Sequence, residues 1–399
     1  MSLFSAVPLA PRDPILGLTE AYLADPNPAK VNLGVGVYQD AGGKLPLLDC
    51  VRQAEQRLAE DPKPRGYLPI DGLPGYVKAV RELVFGTDSA AVAEGRVVTV
   101  QALGGTGALK IGADFLRRFD PGAKVLISDP SWENHEALFT RAGFTVESYR
   151  YYDATAKGID FKGMIADLEA APSGTIVVLH ACCHNPTGYD LDAQQWGLVI
   201  DTVQAVGLVP FLDMAYQGFS ESLEADGRVV RRFAETGLPV LVSTSFSKSL
   251  SLYGERVGAL SVVCADAEEA ARLLSQDKIV IRTNFSSPPT HGAQLAATVL
   301  ADPELRRLWV SELGQMRDRI KSMRVRLVRG LAAAGITDMD FIATQVGMFS
   351  YSGLTPEQMA RLREQHGVYG TNKGRICVAA LNEGNVDYVC AAIAAVRSG

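Results

Sequence analysis

The chain has 399 residues, too many for one ordinary hydrophobic core, and this length predicts two domains. Hydrophobic residues make up 47% and charged residues 21% of the sequence, which is typical of a globular protein and excludes a disordered one. The net charge of -6, without any dense block of Lys or Arg, argues against nucleic acid as the main partner.

The first residues and the cysteines indicate where the protein works. Residues 1–14 show no basic segment followed by an apolar run, so we expect no signal peptide. No stretch approaches the roughly 18 apolar residues of a membrane span. Six cysteines occur without a C-x-x-C pair, and the adjacent Cys182 and Cys183 are poorly suited to a disulfide with each other. We therefore expect reduced, mostly buried thiols in a cytoplasmic protein.

Short apolar runs alternate with longer amphipathic ones between residues 97 and 265. The predicted strands are 97–100, 124–127, 175–179, 208–212, 240–242 and 257–264. They are apolar on both faces, as strands covered on both sides must be. Helical spacing appears between them at Ala108, Ile111, Phe115, Leu116 and Phe119, and again at Trp196, Val199, Ile200 and Val203. This alternation predicts an α/β fold whose mainly parallel central sheet is flanked by helices.

The pattern changes after residue 300. A long amphipathic helix is predicted over 305–334, followed by short strands near 347–351 and 376–378 and helices near 355–366 and 385–397. These elements predict a smaller α+β domain. We assign residues 1–45 to an N-terminal arm that packs with it, 46–308 to the large domain and 309–399 to the small one.

Glycines follow the first predicted strand, in Gly104-Gly105-Thr106-Gly107. Glycine lets the backbone approach a ligand, and the free N–H groups at a helix start attract phosphate. A plain tight turn explains the same residues. The segment is not a P-loop, because G-x-x-x-x-G-K-[ST] is absent.

Two further turns follow the second and third predicted strands. Trp132, in Ser128-Asp129-Pro130-Ser131-Trp132, suits either packing or stacking on a flat ring. Cys182-Cys183-His184 suggests zinc, but its spacing offers no tetrahedral geometry and we expect no metal. In the same segment, Asn185-Pro186 predicts a turn that directs an amide side chain into the crevice.

A carboxylate and an amine follow the next two strands. Asp213 closes an apolar strand, where a carboxylate needs a positive partner, and a structural ion pair is the alternative. Lys248, in Ser245-Phe246-Ser247-Lys248 and eight residues before Arg256, is either a solvated lysine or a buried one. Burial would lower the pKa of Lys248 and suit it to form a Schiff base.

These features together match the needs of pyridoxal phosphate (PLP). The carboxyl ends of parallel strands meet at one edge of a sheet, so the phosphate cradle, aromatic plate, amide, carboxylate and lysine converge there. PLP is held by a lysine Schiff base, with an Asp on its pyridine nitrogen. The sequence therefore predicts a PLP enzyme.

The chain resembles the class I aminotransferases of PLP fold type I over essentially its whole length. The resemblance is carried by Asn185-Pro186-Thr187-Gly188, by Asp213-Met214-Ala215-Tyr216-Gln217-Gly218, and by Ser245-Phe246-Ser247-Lys248 through Arg256. The family includes aspartate and aromatic amino-acid aminotransferases. The resemblance implies that glutamate and 2-oxoglutarate serve as one substrate couple.

The resemblance also implies roles for cofactor-binding residues. Lys248 would carry the cofactor and move the substrate proton, while Asp213, with His135 behind it, would hold the pyridine nitrogen protonated. Asn185 and Tyr216 would donate to the phenolic oxygen, and Trp132 would stack on the ring. The phosphate would be held by Gly105, Thr106, Ser245 and Arg256, joined by Tyr67 of a second subunit.

Substrate roles follow from the same resemblance. Arg375, in Gly374-Arg375-Ile376-Cys377-Val378, matches the arginine that binds the α-carboxylate, and Gly36 would line that pocket beside Trp132 and Asn185. Arg282, in Ile281-Arg282-Thr283-Asn284, matches the arginine that reaches across a homodimer to a distal carboxylate. A surface ion pair is the alternative for either arginine taken singly.

Three alternatives to this function remain open. Residues 1–14, 248–256 and 347–351 resemble the bacterial tyrosine/aromatic branch, which favours an enzyme for aromatic amino acids and aspartate over a strict aspartate aminotransferase. Decarboxylation or β-elimination would use the same cofactor, but the two arginines favour transamination because they fix the substrate carboxylates. A non-catalytic binding protein is disfavoured because every expected catalytic position is occupied.

Overall fold

A computed structural model describes residues 2–10 and 15–398. Met1 and residues 11–14, which belong to the opening segment compared with the aromatic branch, lie outside the described residues. The strands, in chain order, are β1 (Val31–Asn32), β2 (Val97–Leu103), β3 (Lys124–Asp129), β4 (Thr145–Arg150), β5 (Tyr152–Asp153), β6 (Gly158–Ile159), β7 (Ile176–His180), β8 (Val209–Met214), β9 (Val240–Ser245), β10 (Val257–Val263), β11 (Phe349–Tyr351), β12 (Val368–Tyr369) and β13 (Arg375–Cys377).

Fourteen α-helices accompany these strands within the described part of the chain. They are α1 (Leu16–Ala24), α2 (Asp49–Glu60), α3 (Pro74–Phe85), α4 (Ala90–Ala93), α5 (Gly104–Phe119), α6 (Glu133–Ala142), α7 (Phe161–Glu169), α8 (Ala193–Val206), α9 (Leu223–Ala234), α10 (Ala267–Asn284), α11 (His291–Ala301), α12 (Pro303–Ala333), α13 (Pro356–His366) and α14 (Val386–Ser398). No helix in the described residues is both long enough and apolar enough to cross a bilayer.

A seven-stranded central sheet confirms the predicted α/β fold. Its strand order is β2-β10-β9-β8-β7-β3-β4. The pairs β9–β8, β8–β7, β7–β3 and β3–β4 are parallel, whereas β10 runs antiparallel to both β2 and β9. The parallel half brings the carboxyl ends of β3, β7, β8 and β9 to one edge.

The two faces of this sheet belong to two hydrophobic clusters. Val177 packs into one cluster and its neighbour Val178 into the other. Phe211 and Leu212 of β8 separate in the same way. Since successive strand side chains point to opposite faces, burial on both sides requires the uninterrupted apolar runs seen in the sequence.

Strand β4 was not predicted from the sequence. It forms an edge of the sheet and pairs only with β3 in the described residues. Most of its side chains are exposed or half-buried, among them Glu147 and Arg150. An edge strand with such polar side chains has no apolar run to reveal it.

The N-terminal segment packs with the C-terminal elements. β1 pairs in parallel with β12, and the Leu33 amide donates to the Tyr369 carbonyl at 2.7 Å. The Leu33 carbonyl in turn accepts from the Cys377 amide at 2.8 Å. Helix α12 runs without a break through residue 308, where we placed the domain boundary. The assignment of domains to 1–45, 46–308 and 309–399 stays a prediction.

Asp277 is a buried carboxyl group in α10 without a visible partner. Its exposed fraction is 0%, and neither carboxylate oxygen has a hydrogen-bond partner among the described residues. Burial raises the pKa of Asp277 to about 7. The folded protein therefore keeps this proton between about pH 4 and 7, while the unfolded chain loses it. Across this range the free energy of unfolding falls as the pH rises.

We expect Asp277→Leu to stabilise the protein, and to do so more at pH 8 than at pH 5.5. The gain at pH 8 should be on the order of 2 kcal/mol, because an unpaired buried carboxylate is removed. Thermal unfolding at the two pH values measures it. Glu268→Leu, on the exposed face of the same helix, is the control and should give no pH-dependent gain. An equal effect of Asp277→Leu at both pH values would contradict the argument.

Candidate active site

A cavity of about 240 Å³ opens at the carboxyl edge of the parallel strands. Eleven of the fourteen predicted site residues line it, namely Gly36, Gly105, Thr106, Trp132, Asn185, Asp213, Tyr216, Ser245, Lys248, Arg256 and Arg375. His135 contacts Asp213 and Trp132 of this set, whereas Tyr67 and Arg282 do not line the cavity. The structure thus brings together side chains that are up to 339 positions apart in the sequence, from Gly36 to Arg375.

One wall of the cavity is suited to bind an anion. Helix α5 begins at Gly104 without a side-chain cap, and Gly105 and Thr106 of its first turn line the cavity, so the positive end of the helix dipole lies at this wall. Gly104 has a φ of 67°, and a Cβ atom there would lie 2.5 Å from Nη2 of Arg256. Glycine therefore permits the close approach of Arg256 to the helix start.

The Arg256 guanidinium has no carboxylate within ion-pair distance among residues 2–10 and 15–398. Its Nη1 donates to the Tyr253 carbonyl at 3.1 Å and to the Ser247 hydroxyl at 3.3 Å. Ser245 and Thr106 add hydroxyl groups to the same wall. A helix start, a guanidinium without a carboxylate partner among the described residues, and several hydroxyls form a donor set that fits a phosphate group.

Asp213 lies at the end of β8 and accepts a hydrogen bond from a histidine. His135 Nε2 is 3.0 Å from Asp213 Oδ2, and His135 Nδ1 is 2.9 Å from the Ser131 hydroxyl. Burial raises the pKa of Asp213, but the hydrogen bond with His135 and the nearby charge of Lys248 outweigh this and leave it below its ordinary value. Asp213 is therefore a carboxylate at neutral pH, directed at the cavity.

Lys248 follows β9 and extends into the cavity. Its Nζ lies 4.8 Å from the centre of the Tyr216 ring. Burial lowers the pKa of Lys248 to about 8, although Asp213 opposes the shift, and Arg256 and Arg375 add to it. A large fraction of the amine is therefore neutral near pH 8 and can act as a nucleophile or a base.

Arg375 also lines the cavity. It is 3% exposed, and it donates to the Asn185 side-chain oxygen at 3.1 Å and to the Gly34 carbonyl at 2.9 Å. Its nearest carboxylate among the described residues is that of Glu133, at 4.0 Å. The Nε atom of Arg375 is buried without a partner. A buried guanidinium that lacks a close counter-ion fits a carboxylate ligand.

Phe349 is a cavity residue that the sequence did not reveal. The Arg375 guanidinium stacks over its ring at 4.2 Å, and the Tyr216 ring meets its edge at 6.0 Å. A Cβ atom on Gly36 would lie 2.6 Å from the Phe349 ring, which explains why glycine occupies that position. The sequence predicted a strand at Phe349, but no motif points to its ring.

His180 was also missed as a site residue. It ends β7, lines the cavity and lies between the rings of His135 and His184, with centroid distances of 5.0 and 4.3 Å. Neither ring nitrogen has a partner among the described residues. Burial, together with the charge of His135, lowers the pKa of His180 to about 3, so this imidazole is neutral. The sequence signal that could have identified His180 is its position at the end of a predicted strand, two residues before Cys182.

The remaining aromatic residues frame the cavity. Trp132 is half-buried at the start of α6, with its ring 5.2 Å from that of His135 in an edge-on arrangement. Burial raises the pKa of Tyr216, so its hydroxyl stays protonated and can donate a hydrogen bond. Stacking of Trp132 on a ligand ring, and donation by Asn185 and Tyr216, stay predictions.

Tyr67 and Arg282 do not line the cavity. Tyr67 is 98% exposed. Arg282, near the end of α10, is exposed and donates to the Ser286 hydroxyl. Both roles predicted for these residues require a second subunit.

Two clusters have side-chain atoms spaced closely enough for a metal ion. One comprises His135, His180 and Asp213, and the other Cys182, Cys183 and Asp226, with ligand atoms within 4.8 Å of one another in each. In the first cluster, His135 and Asp213 are hydrogen-bonded to each other. In the second, Asp226 accepts three backbone amides. Both carboxylates therefore already accept hydrogen bonds.

Comparison with known proteins identifies relatives over the whole chain. Residues 28–393 match the family model described as aminotransferase class I and II. The chain is 58% identical to an aspartate aminotransferase of Pseudomonas aeruginosa, covering 99% of this chain and 100% of that protein. It is 49% identical to an aromatic-amino-acid aminotransferase of Escherichia coli, with the same coverage.

A solved structure has the same fold. It is an aromatic-amino-acid aminotransferase from Burkholderia pseudomallei covalently bound to pyridoxal phosphate. The TM-score is 0.97 and the identity 64%, covering 99% of this chain and 100% of the other.

Proposed function

The chain belongs to the class I and II aminotransferases, and we propose that it moves amino groups between aromatic or dicarboxylic L-amino acids and 2-oxo acids, with pyridoxal phosphate as cofactor. The observation that carries this proposal is that one cavity is lined by Lys248, Asp213 and two guanidinium groups. Arg256 lies beside the start of α5, and Arg375 has no carboxylate among the described residues closer than that of Glu133, at 4.0 Å. Such a cavity can hold a phosphorylated ring and a substrate carboxylate together.

The residues present fit the cofactor. Arg256, Ser245, Thr106 and Gly105 would hold its phosphate, and Tyr67 of a second subunit would join them. Asp213, supported by His135, would keep the ring nitrogen protonated. When bound, PLP supplies an electron sink for the bonds at the substrate α-carbon.

The protein's own groups would then orient the substrate and move its proton. Arg375 would bind the α-carboxylate, with Gly36, Trp132 and Asn185 beside it, so that the α-hydrogen faces Lys248. The neutral Nζ of Lys248 would accept that proton as a general base and, in the same half-reaction, pass it to the cofactor carbon that bears the amino nitrogen. The second half-reaction would run these transfers in reverse. Both half-reactions use the same groups, as glutamate and 2-oxoglutarate complete the cycle.

Substrate range rests on the side of the cavity that faces the side chain. Ile15, Val35 and Val37 line the cavity with apolar surface, and this surface would favour an aromatic side chain of the substrate. Arg282 would add a partner for aspartate. We therefore favour an enzyme for both substrate types. A strict aspartate aminotransferase is the second candidate, supported by the name of the Pseudomonas aeruginosa relative.

An absorbance experiment separates these two candidates. The PLP-loaded protein is mixed with aspartate or with phenylalanine, and conversion of the bound cofactor to its amino form is followed. We expect conversion by both, with phenylalanine at least as fast as aspartate. Conversion by aspartate and not phenylalanine would establish the strict enzyme. Absence of a cofactor band after loading would overturn the proposal.

We also propose a homodimer with shared active sites in the cytoplasm. Tyr67 and a set of apolar side chains, Leu3, Phe4, Val7, Leu9, Leu45 and Leu47, are exposed in the single chain. Exposed apolar surface of this extent favours an interface. All six cysteines are buried free thiols, as in a reducing compartment.

The pKa of Lys248 predicts how the protein without cofactor takes up PLP. The aldehyde of PLP reacts with a neutral amine. The rate at which Lys248 forms its covalent link to PLP should therefore rise with pH and reach half its maximum near pH 8. An ordinary lysine would place this midpoint near 10.4. Stopped-flow absorbance across pH 6.5–10 measures it. A capture rate that is still rising steeply at pH 10 would show that Lys248 is not desolvated.

A further inference from the structure

A second cavity, of about 330 Å³, lies behind two loops of the active site. It shares no lining residue with the first cavity. Residues 181–190, which include Asn185, contribute to both cavities, and so do residues 215–221, which include Tyr216. These two loops therefore form the wall between the cavities.

Asp190 holds the first loop from the second cavity. Its Oδ2 accepts from the Cys183 amide at 2.7 Å, and its Oδ1 accepts from the His184 amide at 2.8 Å. These are the two residues directly before Asn185. Cys183 has a φ of 52°, a left-handed conformation that a non-glycine residue adopts at a cost. The Asp190 carboxylate thus stabilises a turn whose backbone conformation at Cys183 is unfavourable by itself.

Asp226 holds the second loop in the same manner. It is buried, and its carboxylate accepts from the amides of Gly218 at 2.8 Å, Ser220 at 3.0 Å and Glu221 at 3.0 Å. Gly218 is two residues after Tyr216. The loops also touch each other, since the Cys183 thiol lies 3.8 Å from the Tyr216 carbonyl.

We propose that Asp190 and Asp226 are positioning residues that act through the backbone on the side chains of Asn185 and Tyr216. This inference rests on the proposed function, in which those two side chains donate to the phenolic oxygen of the cofactor. Donation to that oxygen disfavours the protonated form of the cofactor's link to Lys248. The two carboxylates therefore help to set the pH at which the bound cofactor changes colour.

Asparagine is the informative replacement at both positions. It has the shape of aspartate, but it offers one oxygen and one NH2 group. An NH2 group facing a backbone N–H repels it, so the loop must shift. Asp192→Asn is the matched control. Asp192 lines the same cavity and also accepts two backbone amides, but those amides belong to Gln194 and Gln195 at the start of α8.

The test is a spectrophotometric pH titration of the PLP-loaded protein. We expect Asp190→Asn and Asp226→Asn to raise the midpoint by about 0.5–1 pH unit, and Asp192→Asn to leave it within about 0.2. A lowered midpoint would mean that the carboxylates act by their charge, because removal of a negative charge disfavours the protonated form. An unchanged midpoint with reduced thermal stability would mean a purely structural role. Either result overturns the proposal.

Two additions keep the outcome decisive. Asp190→Glu retains the charge but displaces both oxygens, and it should also raise the midpoint. It therefore tests the proposal even if Asp190→Asn fails to fold. Asn185→Ala and Tyr216→Phe report on the proposed function itself. If neither raises the midpoint, the donor roles in the proposed function fail. If they raise it and the Asp190 and Asp226 variants do not, the present inference fails.

Discussion

Lys248→Ala should lower aminotransferase turnover by at least about 10⁴-fold, the upper range of what one general base contributes. The lysine side chain is the only amine that lines the active-site cavity among the described residues. Without it, the proton at the substrate α-carbon has no acceptor. Steady-state turnover with aspartate and with phenylalanine measures the loss.

The same variant should still bind PLP without a covalent link. Arg256, Ser245 and Asp213 remain in place to hold the phosphate and the ring nitrogen. After borohydride treatment, mass spectrometry should find the cofactor covalently attached to the protein that has Lys248 and not to the Lys248→Ala variant. Lys278→Ala is the control, since Lys278 forms a surface ion pair with Asp71 at 3.2 Å. Retention of turnover by Lys248→Ala would refute the assignment.

The sheet could be predicted because its strands are buried on both faces. Residues 240–242 and 175–179 are continuous apolar runs for this reason, and each lies within or beside an observed strand. Strand β4 escaped prediction because it lies at an edge and is largely exposed. Apolar runs in the sequence thus indicate buried strands, and they do not reveal a strand that is exposed.

Site residues were predictable where they follow a strand in the parallel half of the sheet. Asn185, Asp213 and Lys248 converge because β7, β8 and β9 end at the same edge. Phe349 comes from a separate part of the chain and reaches the cavity through tertiary contacts. Its carbonyl accepts from the buried Arg324 of α12, a contact that no local pattern encodes. Similarly, the bonds from Asp190 to the Cys183 and His184 amides become visible only in three dimensions.

Arg282→Ala should reduce kcat/KM for aspartate by roughly 10²–10³-fold, while kcat/KM for phenylalanine stays within about threefold. Aspartate would leave its distal carboxylate unpaired, and loss of a charged partner in a desolvated site costs about 3–4 kcal/mol. Arg375→Ala should instead lower both values, because every amino acid has an α-carboxylate. Arg272→Ala, in the same helix with an exposed ion pair to Glu268 at 2.8 Å, should change neither. An equal loss for both substrates would remove Arg282 from the distal-carboxylate site.

Arg282 does not line the active-site cavity of its own chain, and this leads to a sharper prediction. If each active site takes Arg282 from the partner subunit, Lys248→Ala and Arg282→Ala chains should complement each other. A hybrid dimer then has one intact site, with Lys248 from one chain and Arg282 from the other, and one doubly deficient site. Random pairing of equal amounts makes half of the dimers hybrids, so about a quarter of all sites should regain aspartate turnover. If Arg282 serves its own subunit, no site in the mixture is intact, and aspartate turnover does not exceed what the Arg282→Ala chains in the mixture give alone.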